Sequence, residues 1–375
     1  MFKVTKQHFL IIIAAFIIGM VPVSNTGTIH YFQDKTLTIE TVKVDKRLID
    51  FEEEISMDTL YGHLSVQGDP VFYSRNVVTS VCFDGECRLL DVIVYWNPTG
   101  RYLGFELPEK EYLSKHDHEP FTAEEYIKLH SLLADPFLPL GEYSYNEIVM
   151  EGSKEEYSDS QYEVKEIDAV SSATSKFILD YVVEGAAFTT YKLWHLIYGP
   201  TNGVIKEWTT ENFDANYITL LLESENLSDI LWTLEQLEGK LDQYPKINPL
   251  IFEFIKSSEY SLSEKAIQTI NPQNLSSQSF QMDLIALFPQ MDSGKKKWIL
   301  DLFKEAPNVH PETKTFFNES ILDLEVPLIV LLLEVYQKQK MYDATSLEKV
   351  RLLSNSDNNY LAQKAKQFLE NVPNP

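Results

Sequence analysis

The chain has 375 residues, with 56 acidic against 32 basic side chains and a formal net charge of −24. That charge leaves no basic stripe to neutralise phosphates, which argues against nucleic acid as a partner, and it argues equally against adhesion of the folded part to anionic lipid. With 44% hydrophobic residues the chain can bury a sizeable core, and its length allows two or three domains.

Lys3 and Lys6 precede an apolar run over residues 9–23. A basic start followed by such a run is the pattern of a secretory signal. The run is shorter than the roughly 20 residues that a spanning helix needs. Pro22, Ser24, Thr26 and Gly27 offer only weak cleavage positions. Residues 1–27 are therefore expected as a signal peptide or an N-terminal membrane anchor. Either one makes the remainder extracytoplasmic, in the periplasm or at the outer face of the inner membrane. No cysteine adjoins the segment, which excludes a lipoprotein anchor.

Residues 28–69 read as a connector with one strand, because residues 36–44 alternate with period two. The acidic stretch 50–57 reads as exposed. Residues 71–107 carry the clearest β pattern. Two β-rich runs, 76–83 and 86–96, flank Asp84-Gly85, and an Asp-Gly pair in this setting predicts a two-residue hairpin turn. That turn pairs Phe83 with Glu86 and sets Cys82 opposite Cys87, within reach of a disulfide. These are the only two cysteines. An oxidising compartment favours the bond, and a redox-active pair is the sharper alternative. Two thiolates without further ligands do not make a metal site.

Beyond the sheet, His116, Asp117, His118 and Glu119 form a polar loop that lacks a third ligand at metal-binding spacing, so a solvated loop is expected and no metal is assigned. Thr122-Ala123-Glu124-Glu125 is a capping box that opens a helix through Leu133, closed by Asp135-Pro136 and Pro139. His130 reads as a boundary residue of that helix. The acidic stretch 151–166 reads as an exposed loop leading into Ile167-Asp168-Ala169-Val170-Ser171-Ser172-Ala173-Thr174-Ser175-Lys176. From Lys176 a helix is expected to run towards Tyr198, with Gly185 as a possible break. Its second half is aromatic, through Phe188, Tyr191, Trp194, His195 and Tyr198. Asp168, Ser171, Ser172 and Thr174 are all N-capping residue types. The free N–H groups and dipole of a helix start also favour an anion such as phosphate. The residues alone leave both readings open.

From about residue 210 the pattern turns helical. Apolar segments at 218–224, 251–257 and 284–290 recur about every 33 residues, each followed by a polar turn and a second apolar helix, which is a solenoid period. Pairs near 311–336 and 343–371 continue the plan less regularly. The pattern resembles a HEAT-like α-solenoid; an irregular helical bundle is the other reading.

The run Asp168-Ala169-Val170-Ser171-Ser172-Ala173-Thr174 resembles the flavin-attachment motif of the FMN-binding domain family, an Asp followed by Ser-Gly-Ala-Thr. Asp168 matches the acidic position, Ser171 the leading Ser, Ala173 the Ala and Thr174 the acceptor, while Ser172 stands where the family usually has Gly. The resemblance covers roughly residues 70–190, including the β region, whose second strand continues into residues 97–105, where that family often places a Glu-Thr-Pro-Gly-like loop near the flavin and this chain keeps Thr99-Gly100 and a later Gly104. It implies an α+β protein. Residues 70–207 would form a small antiparallel β-sheet domain with helices, FMN-binding-domain-like, and the separate 33-residue pattern makes residues 208–375 an all-α HEAT-like solenoid or helical bundle. It implies FMN joined to Thr174 through a phosphoester by a flavinyltransferase. Asp168 would orient the site, and Ser171 and Ser172 would hydrogen-bond the phosphate. The protein would then be an electron carrier without a substrate of its own, its helical repeats docking a redox partner. The alternative is a non-flavinylated exported scaffold that keeps the fold and binds a partner through the repeats.

Overall fold

The computed structural model describes residues 29–32, 39–49, 58–80, 88–115, 118–144, 178 and 180–373. Its layout is α+β, with a six-stranded antiparallel sheet followed by helices. The strands are β1 (Ile29–Phe32), β2 (Lys43–Ile49), β3 (Asp58–Leu64), β4 (Pro70–Thr79), β5 (Leu90–Trp96) and β6 (Tyr102–Leu107), in the order β1-β6-β5-β4-β3-β2. Strands β2 to β6 form a meander. β1 lies beside β6, so β1 and β2 are the two edges. Gly104 makes the β1–β6 approach possible, since a Cβ there would stand 2.3 Å from the Tyr31 carbonyl oxygen.

The stretch expected as a connector thus supplies three strands of the sheet. The strand expected over 36–44 begins only at Lys43. Residues 39–42 lie outside it, because ladder pairing with β3 starts at Lys43↔Leu64, while Ile39 packs against the cluster of Val71, Tyr217 and Leu221. In β5, Leu90, Val92, Val94 and Trp96 are buried and the residues between them are half-buried, the alternation of a sheet with one covered face. β4 and β5 pair Asn76↔Ile93, Val78↔Asp91 and Thr79↔Leu90, the register that a two-residue Asp84-Gly85 turn dictates. Cys82 and Cys87 lie outside the described residues.

Three helices cover the buried face: α1 (Ala123–Leu133), α2 (Ala187–Tyr198) and α3 (Pro200–Glu211). The capping box of α1 is formed as expected, with Thr122 Oγ1 accepting from Glu125 N at 3.3 Å and Glu125 Oε2 from Thr122 N at 2.7 Å. The helix expected from Lys176 to Tyr198 is not continuous. Residues 180–186 are turns, Gly185 has φ +72°, and α2 starts at Ala187. A residue in the left-handed region interrupts a helix, and glycine takes that conformation without strain. Ile205 and Trp208 of α3 belong to the sheet's core.

From Ala215 the chain forms five helix pairs. They are α4 (Ala215–Leu222) with α5 (Leu227–Gln236), α6 (Asn248–Ile255) with α7 (Tyr260–Thr269), α8 (Gln278–Leu287) with α9 (Ser293–Glu305), α10 (Pro311–Ser320) with α11 (Val326–Lys338), and α12 (Ala344–Leu353) with α13 (Asn359–Glu370). The second helices begin at Leu227, Tyr260, Ser293, Val326 and Asn359, a step of 33 residues each time, so the last two pairs are as regular as the first three. Neighbouring second helices pack on one another to make a continuous layer. Thr233, Ala266, Ile299, Leu332 and Ala365, one period apart, are all fully buried in it. Among the described residues no helix is long and apolar enough to cross a membrane; residues 1–27 are not among them.

Candidate functional site

Asp168, Ser171, Ser172, Ala173 and Thr174 lie outside the described residues, and so do Cys82 and Cys87. Both flanks of the first run are described. The chain is described up to Ser144 and again at Ile178, which is 4% exposed and sits in the core of the sheet domain beside Val182 and Val183. Thr174 precedes Ile178 by four positions. A chain spans at most about 3.6 Å per residue, so the Thr174 Cα stays within about 14 Å of that of Ile178. Whatever Thr174 carries is on a short tether to this domain.

The other flank is clamped by α2. Tyr191 Oη donates to the Tyr143 carbonyl at 2.9 Å, Trp194 Nε1 to that of Asp135 at 2.9 Å, and Tyr198 Oη to that of Leu133 at 2.9 Å, while His195 Nε2 lies 3.1 Å from the Leu140 oxygen. These rings also pack against one another along the helix at a tilt, with Tyr191–His195 centroids 4.1 Å apart and Trp194–Tyr198 4.9 Å. The aromatic half of α2 is therefore committed to holding the segment after α1. Burial holds His195 below the usual histidine range.

The Asn97–Arg101 turn between β5 and β6 is occupied as well. The Asn97 Oδ1 accepts from the Thr99 and Arg101 amides at 3.1 and 2.7 Å, which shapes the turn, and Gly100 closes it with φ +84°. Asp229 of α5, fully buried, reaches into it. Its Oδ1 accepts from Asn97 Nδ2 at 2.7 Å, Thr99 Oγ1 at 2.6 Å and Arg101 Nε at 3.1 Å; its Oδ2 accepts from Arg101 Nη2 at 3.1 Å and Ser224 Oγ at 3.0 Å. From above, α3 adds Asn202, whose Nδ2 donates to the Gly100 carbonyl, and Thr209, whose hydroxyl donates to that of Pro98 at 2.6 Å. Asp229 was missed in the sequence reading, although a signal existed. One repeat period on, the same core position holds Leu262, then Lys295, Leu328 and Leu361. The two polar exceptions both bind across elements: Lys295 Nζ donates to the Ile255 and Ser257 carbonyls at 3.2 and 2.7 Å.

His130 packs beside Tyr31 and Phe105, with Nδ1 3.0 Å from the Tyr102 hydroxyl, and burial pushes its pKa down to about 4. His116 and Asp117 are outside the described residues. Among the described residues no three His, Cys, Asp or Glu side chains group so as to hold a metal ion. Set against family models, curated proteins and solved structures, the chain matches none.

Proposed function

We propose that the protein is an exported flavoprotein module that carries FMN on Thr174 and passes electrons to or from a partner docked on its helical repeats. The single observation supporting this reading is the short tether. An attached flavin would be held against the sheet domain by the buried Ile178, four positions away, and could still turn its ring outward. In this reading Asp168 orients the attachment site, Ser171 and Ser172 hydrogen-bond the phosphate, and a flavinyltransferase supplies the FMN. The cofactor does the redox chemistry, and the chain positions it.

A second reading, a non-flavinylated scaffold, is favoured by the junction. The turn and the aromatic helix that could line a flavin are engaged by Asp229 and by the 133–143 segment respectively. Mass spectrometry separates the two. Co-expressed with a flavinyltransferase and exported, the wild-type protein should gain the mass of one FMN, and Thr174→Ala should gain none. An unmodified, colourless wild-type protein under those conditions leaves the scaffold.

A further inference from the structure

The helical layer holds a groove of about 420 Å³ between the end of α5, α7 and α9. Ile267, Ile270, Pro272, Trp298 and Leu302 make its apolar walls, and Glu238, Gln268, Asp301 and Glu305 stand around it. No basic side chain lines it. Along the second helices one surface position, recurring every 33 residues, holds Glu235, Gln268, Asp301, Glu334 and Gln367, so three of the five are carboxylates and one stands in the layer on either side of the groove. Trp298 is itself held, its ring packed at a tilt against that of Tyr260, 5.2 Å between centroids.

We propose that this groove receives an apolar side chain flanked by Arg or Lys on a short segment of a partner protein. This rests on the docking half of the function proposed above and not on flavin attachment. Charge complementarity selects the occupant. A chain of net charge −24 attracts cations at long range, and the groove offers carboxylates around an apolar, aromatic floor suited to the stem and plane of an Arg side chain. The facing cations are Lys265, 3.0 Å from Glu238, Lys304, 3.4 Å from Asp301 and 3.3 Å from Glu334, and Lys338, 3.4 Å from Glu305. All are solvated pairs between flexible side chains, the weakest kind of ion pair. An incoming guanidinium that also covers Trp298 displaces them. The size of the groove suits one or two side chains, so the partner presents a peptide-like segment.

The test uses the full Thr174→Ala chain, so that flavin plays no part, and short fluorescent peptides with one Leu, Phe or Trp between two Arg residues. Anisotropy should show binding that is lost when the Arg residues are replaced by Glu or the apolar residue by Ser. Asp301→Lys with Glu305→Lys should weaken it at least tenfold. Glu319→Lys with Glu348→Lys, the same charge change on exposed positions of the first helices, should leave it unchanged, with circular dichroism confirming that both variants fold. Equal weakening by the two double variants would overturn the proposal in favour of unspecific charge attraction. Absence of peptide binding overturns it outright. Self-association of the chain that Asp301→Lys with Glu305→Lys abolishes would make a second copy the occupant and overturn it too. A wild-type chain that gains no FMN when co-expressed with a flavinyltransferase, while the Thr174→Ala chain binds the peptides, would strike only the flavin reading.

Discussion

His130 shows how one buried ring sets a pH dependence. Its pKa in the fold is about 4 against an ordinary 6.5, because burial disfavours the charged ring and His30 adds repulsion. Between those two values the unfolded chain binds the proton and the folded one does not. Stability from this group is therefore complete above pH 6.5 and falls as the pH drops towards 4. Urea midpoints measured across that window should decline with falling pH, and His130→Asn should flatten the decline. An unchanged slope would place its origin elsewhere. The sequence places His130 at a boundary, after Leu129 on an amphipathic helix, and the ring is half-buried there; which rings cover it, Tyr31 of β1 and Tyr102 and Phe105 of β6, was not legible.

Elements whose cause is local were legible. The α1 cap needs only Thr122 and Glu125, three residues apart, and the helix pairs need only a repeating apolar stripe. The β4–β5 register is the one that the Asp84-Gly85 pair predicts, and it carries a prediction. Continued from Thr79↔Leu90 to the Asp84-Gly85 turn, it is the register that a Cys82–Cys87 bond requires. Intact mass of the exported protein should rise by two hydrogens on reduction; free thiols without reductant would refute the bond. Elements whose cause is distant were not legible. The position of β2 depends on where β3 begins to pair, and the aromatic half of α2 is explained only by carbonyls 48 to 65 residues earlier in the chain. α3 went unread, although Pro200 at its first position is a helix-start signal.

At the scale of the molecule, the sheet domain and the helical repeats meet at Asp229, 128 to 132 residues from its partners in the β5–β6 turn. Removing one member of a buried ion pair costs about 3–5 kcal/mol. Asp229→Ala strands the Arg101 charge and the Asn97 and Thr99 donors. Chemical denaturation of the wild type should give one transition by both circular dichroism and tryptophan fluorescence. The variant should unfold at lower denaturant, in two steps, and a single transition at the wild-type midpoint would show the junction to be dispensable. The junction was not legible in the sequence, because it is assembled from residues 128 to 132 positions apart. The edge strand β2 has a consequence of its own. Its outer rim of backbone donors and acceptors has no neighbour within the described sheet, and Lys43, Asp45, Lys46 and Arg47 stand along it. Such a rim is a template for another chain's strand, and charges placed on it repel that chain. The charges of Lys43, Asp45 and Lys46 on that rim disfavour its pairing with a second strand and so oppose edge-to-edge growth of the sheet from this side.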